Sequence, residues 1–319
     1  MNKSKDPGFG RGLLFGFGAY LIWGSFPLII TMLAFASAWE VVSWRIVFGF
    51  LVAALLTSLT RSWPAIIGVL KDKNLMKWMA LATVFIATNW TVYVIGVSSQ
   101  QTIQTALGYF INPLVTILLA VIFLGEKLSV AQWVATGFGT LAVIVLTFDY
   151  GQLPWIALTL AGSFGIYGLA KNKIGGRVTA INSFAMEAGM LLPLAGVQLA
   201  IIAASVGSSG GIQFGQVGFW GTAGLIFFGI LTAVPLIMFG TAAQLLPLRF
   251  LGFIQYTTPV LQFCLALLVL GEPMPAARWI GFGLVWIGLA VLIFDALRKS
   301  RGPAKDGVKA TDPAAVINS

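Results

Sequence analysis

Two ionisable residues stand inside long apolar runs, Arg45 and Glu187. A charge near the centre of a bilayer costs about 2.5–3.5 kcal/mol on insertion scales, so each must face a partner, a polar passage or a ligand. Their signs are opposite, so the two could pair with each other. A carboxylate so placed could also carry a proton, which leaves proton coupling open. Polar and aromatic residues accompany them in the apolar runs: Tyr20, Trp23, Asn89, Trp90, Tyr109, Asn112, Gln255 and Tyr256, with Tyr93, Gln104 and Gln262. Aromatic walls with a few amides suit a flat amphipathic small molecule, stacked on the rings and oriented by hydrogen bonds. The first eight, with Arg45 and Glu187, are the candidate substrate-binding residues. The alternative is that such residues form interfacial belts and interhelical hydrogen bonds. That reading fits Trp39, Trp63, Trp78 and Trp155 better. Prolines inside apolar runs, Pro113, Pro193, Pro235 and Pro259, remove a backbone donor and kink a helix. Pro113 and Pro259 are the gating candidates, because they match in an internal repeat described below.

Much other chemistry is excluded. The chain has no histidine and one cysteine, Cys264. A Ser-His-Asp or Cys-His arrangement and the usual zinc sites therefore cannot form. No phosphate-binding loop of the Walker type is present. The expectation is a protein that is not an enzyme and uses no metal or cofactor. Glu126 and Glu272 each follow a glycine at the end of an apolar run and read as helix-end residues.

The elements that position these residues follow from composition. Of the 319 residues, 58% are hydrophobic and only 9% charged. A soluble chain carries roughly 25% charged residues, so lipid must solvate most of this surface. A spanning helix needs about 20 apolar residues. That rule predicts ten spans, at 12–32, 41–60, 76–97, 103–123, 130–148, 154–171, 179–203, 219–241, 250–270 and 277–295. The first run is too long for a signal-peptide core and reads as an uncleaved span. The net charge of +9 does not signal nucleic acid, since the charges lie in short connections and tails rather than on a basic stripe. With the N-terminus cytoplasmic, all but Arg45 and Arg278 of the 19 lysines and arginines fall on the cytoplasmic side. This bias places both termini on the cytoplasmic side, and the expected location is the plasma membrane, the inner membrane of a bacterial-type cell. The expected longest external connection, Ser205–Val217, carries no charge.

The chain also repeats itself. Asn112-Pro113 through Asp149 matches Thr258-Pro259 through Asp295 without a gap. Leu124-Gly125-Glu126 aligns with Leu270-Gly271-Glu272, Trp133 with Trp279, Gly137 with Gly283, and Phe148-Asp149 with Phe294-Asp295. Ile22-Trp23-Gly24 matches Ile166-Tyr167-Gly168 more loosely. The predicted fold is all-α and polytopic, with ten transmembrane helices in two inverted five-helix repeats, 12–149 and 150–295. A cytoplasmic tail, 1–11, precedes them, and a disordered cytoplasmic tail, 296–319, follows. Five is odd, so the second copy enters from the opposite side, an arrangement suited to alternating access. The 37 glycines read as close packing between helices, with Gly12, Gly16, Gly137, Gly139, Gly281 and Gly283 as examples.

These residues resemble the EamA domain, the five-helix unit of the drug/metabolite transporter superfamily. Tyr20-Leu21-Ile22-Trp23-Gly24, Asn89-Trp90, the run Ala106 to Leu114, Phe123-Leu124-Gly125-Glu126, and Glu187 followed by Leu191-Leu192-Pro193 resemble its RarD branch more closely. The resemblance covers about residues 12–295 and implies a ten-helix permease built from two EamA repeats. It further implies efflux of a small amphipathic metabolite or drug, with chloramphenicol-like compounds as the inherited expectation. One departure is Trp44, where a relative has histidine; a proton role for that histidine cannot operate in this chain. The partners implied are a small-molecule substrate and the lipid bilayer. A metabolite importer, a non-transporting scaffold or sensor, and a membrane enzyme are the competing readings. The repeat argues against the scaffold, and the missing histidine against the enzyme.

Overall fold

A computed structural model describes residues 7–124, 127–205, 211–246 and 254–301. Among them run eleven α-helices: α1 Pro7–Met32, α2 Ala38–Leu59, α3 Trp63–Lys71, α4 Lys73–Ser98, α5 Thr102–Leu124, α6 Val130–Tyr150, α7 Trp155–Ile174, α8 Ala180–Ala204, α9 Gly218–Leu245, α10 Thr257–Leu268 and α11 Ala276–Arg301. Helix starts are set by local side chains. The Ser37 and Thr179 side chains accept the first-turn N–H groups of Glu40 and Asn182, capping α2 and α8. Ser129 and Gln132 form a reciprocal capping box on α6, and Asp72 caps α4. Gly151 ends α6 in the left-handed conformation, which costs a glycine nothing.

A helix lies in each of the ten places where the apolar runs predict a span, and eight are long and apolar enough to cross a membrane alone. The other two are α7, whose last turn carries Lys171 and Lys173, and α10, which has 12 residues. The chain between α2 and α4, expected to be a cytoplasmic connection, holds the short helix α3. It buries Ile66 and Val69 while exposing Trp63, Ile67 and Leu70. The last helix continues to Arg301, so the described part of the expected tail, 296–301, is helical. Residues 1–6 and 302–319 of the two tails lie outside the described residues, as do Glu126 and residues 250–253 of the ninth run.

The helices pack in antiparallel pairs. Near the start of α2, Ser43 donates to Gln198 on α8, while Ser62, just past the end of α2, donates to Asn182 in the first turn of α8. Likewise α6 and α11 cross-connect, Ser129 to Asp295 and Arg278 to Asp149. The other principal pairings are α1 with α9 and α10, α7 with α4 and α5, α2 with α9, α8 with α4, and α5 with α10. Small residues permit these approaches: a Cβ at Gly108 would lie 2.9 Å from the Ala157 carbonyl oxygen. Gly12, Gly16, Gly139 and Gly281 pack against neighbouring side chains as expected, but Gly137 and Gly283 face open space. Outward faces are apolar, as lipid requires; Phe148 is 83% and Trp220 84% exposed.

Candidate functional site

Arg45 is 5% exposed and does not reach outward to a headgroup layer. Its guanidinium carbon lies 4.4 Å from the ring centre of Trp90, 5.5 Å from Phe26 and 5.4 Å from Phe228. Thus α1, α4 and α9 wall in a cation supplied by α2. Each ring contributes about 0.5–2 kcal/mol, enough together to offset much of the cost of the buried charge. The Nε–H donates to Thr232 Oγ1 at 3.1 Å, whereas the buried Nη1 has no hydrogen-bond partner.

A polar network adjoins this cradle. Tyr93 lies one turn beyond Trp90 on α4, and Gln262 of α10 donates from Nε2 to its hydroxyl at 2.9 Å and to the Trp23 carbonyl at 3.3 Å. Tyr93 and Tyr109 have ring centres 5.9 Å apart. The Tyr109 hydroxyl donates to Asn89 Oδ1 at 3.2 Å, and Asn89 Nδ2 donates to the Leu160 carbonyl and to Ser163 Oγ, both at 3.1 Å. Trp90, Tyr93, Tyr109 and Trp23 share one packed core with Phe26 and Phe228. The fold therefore gathers Trp23, Arg45, Asn89, Trp90 and Tyr109 into one continuous cluster with Tyr93 and Gln262. Tyr20 sits at its edge, with its ring 5.4 Å from that of Trp23 and its carbonyl accepting from Thr258. Asn112, one turn past Tyr109 on α5, is half-buried with an unpartnered Oδ1.

The two prolines expected to act as a matched pair occupy different settings. Pro113 lies inside α5, where it breaks the hydrogen-bond ladder. Pro259 lies in the first turn of α10, where a missing N–H costs little. Gln255 and Tyr256 form the turn just before that helix, and Tyr256 packs into a separate core with Phe110, Phe263 and Phe282.

Glu187 lies elsewhere, and the expected pair with Arg45 does not form. Its partner is Lys171 of α7, whose Nζ donates to Oε1 at 2.8 Å. Ser183 donates to the same oxygen at 3.0 Å, and Tyr167 to Oε2 at 3.4 Å. The reason is direction. Arg45 and Glu187 each follow the start of their own helix, and the helices are antiparallel, so the charges lie toward opposite ends of the pair. In the sequence Lys171 is the last residue of the predicted span 154–171 and counts among the cytoplasmic-side charges. Its signal is spacing: Tyr167 and Lys171, like Ser183 and Glu187, stand one turn apart.

Two further buried carboxylates are held by backbone. Glu40 accepts the N–H groups of Gln213 and Phe214, each at 2.9 Å, and Trp44 Nε1 at 3.2 Å. Phe214 stacks on Trp44 with ring centres 4.2 Å apart, so the segment before α9 is fastened over the start of α2. Sequence gave no sign of this role for Glu40, because Ser37-x-x-Glu40 reads as a local capping pattern. Glu272 accepts the N–H groups of Thr102 and Ile103 at 2.6 and 2.8 Å and so caps the start of α5, whereas its position after Gly271 suggested a residue that ends its own run.

An all-helical bundle with lipid-facing sides and a buried polar and aromatic cluster drawn from several helices defines a multi-pass membrane protein of transporter type. Residues 10–148 match the EamA-like transporter family. The chain is 42% identical to a Streptomyces exfoliatus protein named RarD, over 91% of this chain and 90% of that one. It is 36% identical to RarD of Escherichia coli K12, over 92% and 98% of the two chains. A more distant relative, from Pseudomonas aeruginosa, is named chloramphenicol-sensitive protein RarD and is 24% identical over 94% and 99%. The chain belongs to the EamA-like transporter family, among its RarD proteins. A protein of known crystal structure shares the fold, with a TM-score of 0.56 and 20% identity over 91% of this chain and 99% of that one.

Proposed function

We propose that this protein is a secondary transporter that exports a small amphipathic molecule across the plasma membrane. The observation that carries the reading is the buried cluster around Arg45 and Trp90, which joins residues from α1, α2, α4, α5, α9 and α10. Such a cluster has charge, rings and unused hydrogen-bonding atoms where a scaffold would need only apolar packing.

Ten spans in two inverted repeats belong to this reading. Exchanging α1, α2, α4, α5 and α6 for α7, α8, α9, α10 and α11, in order, returns the same principal packing pairs, which supports it. Cytoplasmic termini also fit. Of the two basic residues on the opposite side, Arg45 is buried and Arg278 is neutralised by Asp149 at 2.7 Å. Tyr20 at the cluster's edge, with Asn112, Gln255 and Tyr256, completes the proposed binding residues. Glu187, ion-paired with Lys171, is the place where proton coupling would enter. Pro113 and the break before Pro259 are the proposed gates.

Among possible cargoes, the printed name of the Pseudomonas relative makes chloramphenicol the first drug to test. Cells overproducing the protein should accumulate less labelled chloramphenicol than cells with an empty membrane control. Equal accumulation at verified expression removes the drug from the reading. A screen of metabolites in proteoliposomes without exchange of any compound removes transport.

A further inference from the structure

Every other ion that lies deeply buried among the described residues is answered by something. Glu187 has Lys171, Asp149 has Arg278, and Glu40 and Glu272 each take two backbone N–H groups. Arg45 has no acidic partner among the described residues. Its rings hold the charge in place without using its donors, because a π face attracts the cation but accepts no fixed N–H. One donor goes to Thr232, and Nη1 is buried and unused. A guanidinium left in this state is a preorganised fork for a planar anion, and carboxylate is the group whose geometry it matches.

We infer that the ligand taken by the Arg45 cluster is an amphipathic carboxylate with a flat apolar body. The carboxylate would meet the guanidinium at Nη1, and the body would lie against the Trp90 and Tyr93 side of the cluster. Arg45 is the deeply buried cation without an acidic partner among the described residues, and an incoming monoanion would balance it locally. This rests on the transporter reading and names its substrate class. It sets a neutral molecule such as chloramphenicol at a disadvantage in this site.

The test is binding to the purified full-length protein in detergent, with labelled phenylacetate and indoleacetate displaced by the unlabelled acids or by their primary amides. The amides keep shape and ring but lose the charge. The acids should bind at least about tenfold more tightly than the amides, the size of one charge-assisted hydrogen bond. Arg45→Gln should abolish that preference, and Arg45→Lys should keep part of it. Equal binding of acid and amide, or no saturable binding of either acid below about 1 mM, overturns the inference. So does a full preference surviving in Arg45→Gln. Should that variant not fold, the acid and amide comparison in the unaltered protein still decides. Counterflow of the same acids in proteoliposomes separates the two readings. Acids that bind without crossing, in a protein that exchanges no compound of the metabolite screen, leave the anion site standing and remove transport. Transport of chloramphenicol that excess acid does not inhibit leaves transport standing and removes the anion site.

Discussion

Arg45 and Glu187 occupy the same register on their helices, equally far past the caps Ser37 and Thr179, yet they face different partners toward opposite ends of an antiparallel pair. Register alone would make them look like natural partners. Direction keeps them apart.

The first prediction follows from that separation. Glu187→Gln and Lys171→Met should each destabilise the protein, and the double change should recover part of the loss. The cost should fall below the about 3–5 kcal/mol of a fully buried pair, because Lys171 is 30% exposed and can rehydrate. Arg45→Gln combined with Glu187→Gln should instead be additive. Thermal unfolding in detergent measures both cycles; coupling between Arg45 and Glu187 above that of the lysine pair would contradict the geometry.

Glu272 is expected to matter for stability rather than for transport. Glu272→Gln replaces one accepting oxygen with an amide that cannot accept from Thr102 or Ile103. The loss should be about 1–2 kcal/mol, the scale of a helix cap with its charge–dipole component. A lowered Tm with unchanged transport per folded molecule is the expected pattern. Abolished transport at full stability would place Glu272 in the pathway.

Glu40 should fasten the segment that leads into α9. In a Cys264→Ser background, a cysteine at half-buried Ile212 should react about tenfold faster once Glu40 is changed to alanine, because charge-assisted bonds to Gln213 and Phe214 are lost. An unchanged labelling rate would mean that the Phe214 stack on Trp44 holds the segment alone.

Topology is open to the same chemistry. Ser99 and Lys127 are exposed residues beside opposite ends of α5. Cysteines there, again without Cys264, should differ in sealed cells: the Ser99 position should react with an impermeant reagent from outside, and the Lys127 position should not. Labelling of both from outside would break the proposed orientation.

The sequence alone determined that this chain is an all-helical membrane protein, because apolar length and scarce charge are local quantities that need no contact map. It also singled out residues that the fold brings together. Trp23, Arg45, Asn89, Trp90 and Tyr109 were polar or aromatic against an apolar background, and that contrast is written in one dimension. Which residues meet was decided only by the tertiary structure. Lys171 was hidden because a lysine near a helix end looks like an ordinary interfacial charge until its side chain is seen to reach Glu187 on α8. Glu40 was hidden because its donors are backbone N–H groups in a distant segment, and backbone carries no sequence signature. Pro113 and Pro259 match in the repeat, but one lies within a continuous helix and the other just after a turn, since a proline's effect depends on the ladder around it. The pairing of charges depends on helix direction and depth, and these are fixed when antiparallel helices choose their neighbours, so Arg45 was left facing rings and an empty donor position while Glu187 took the lysine.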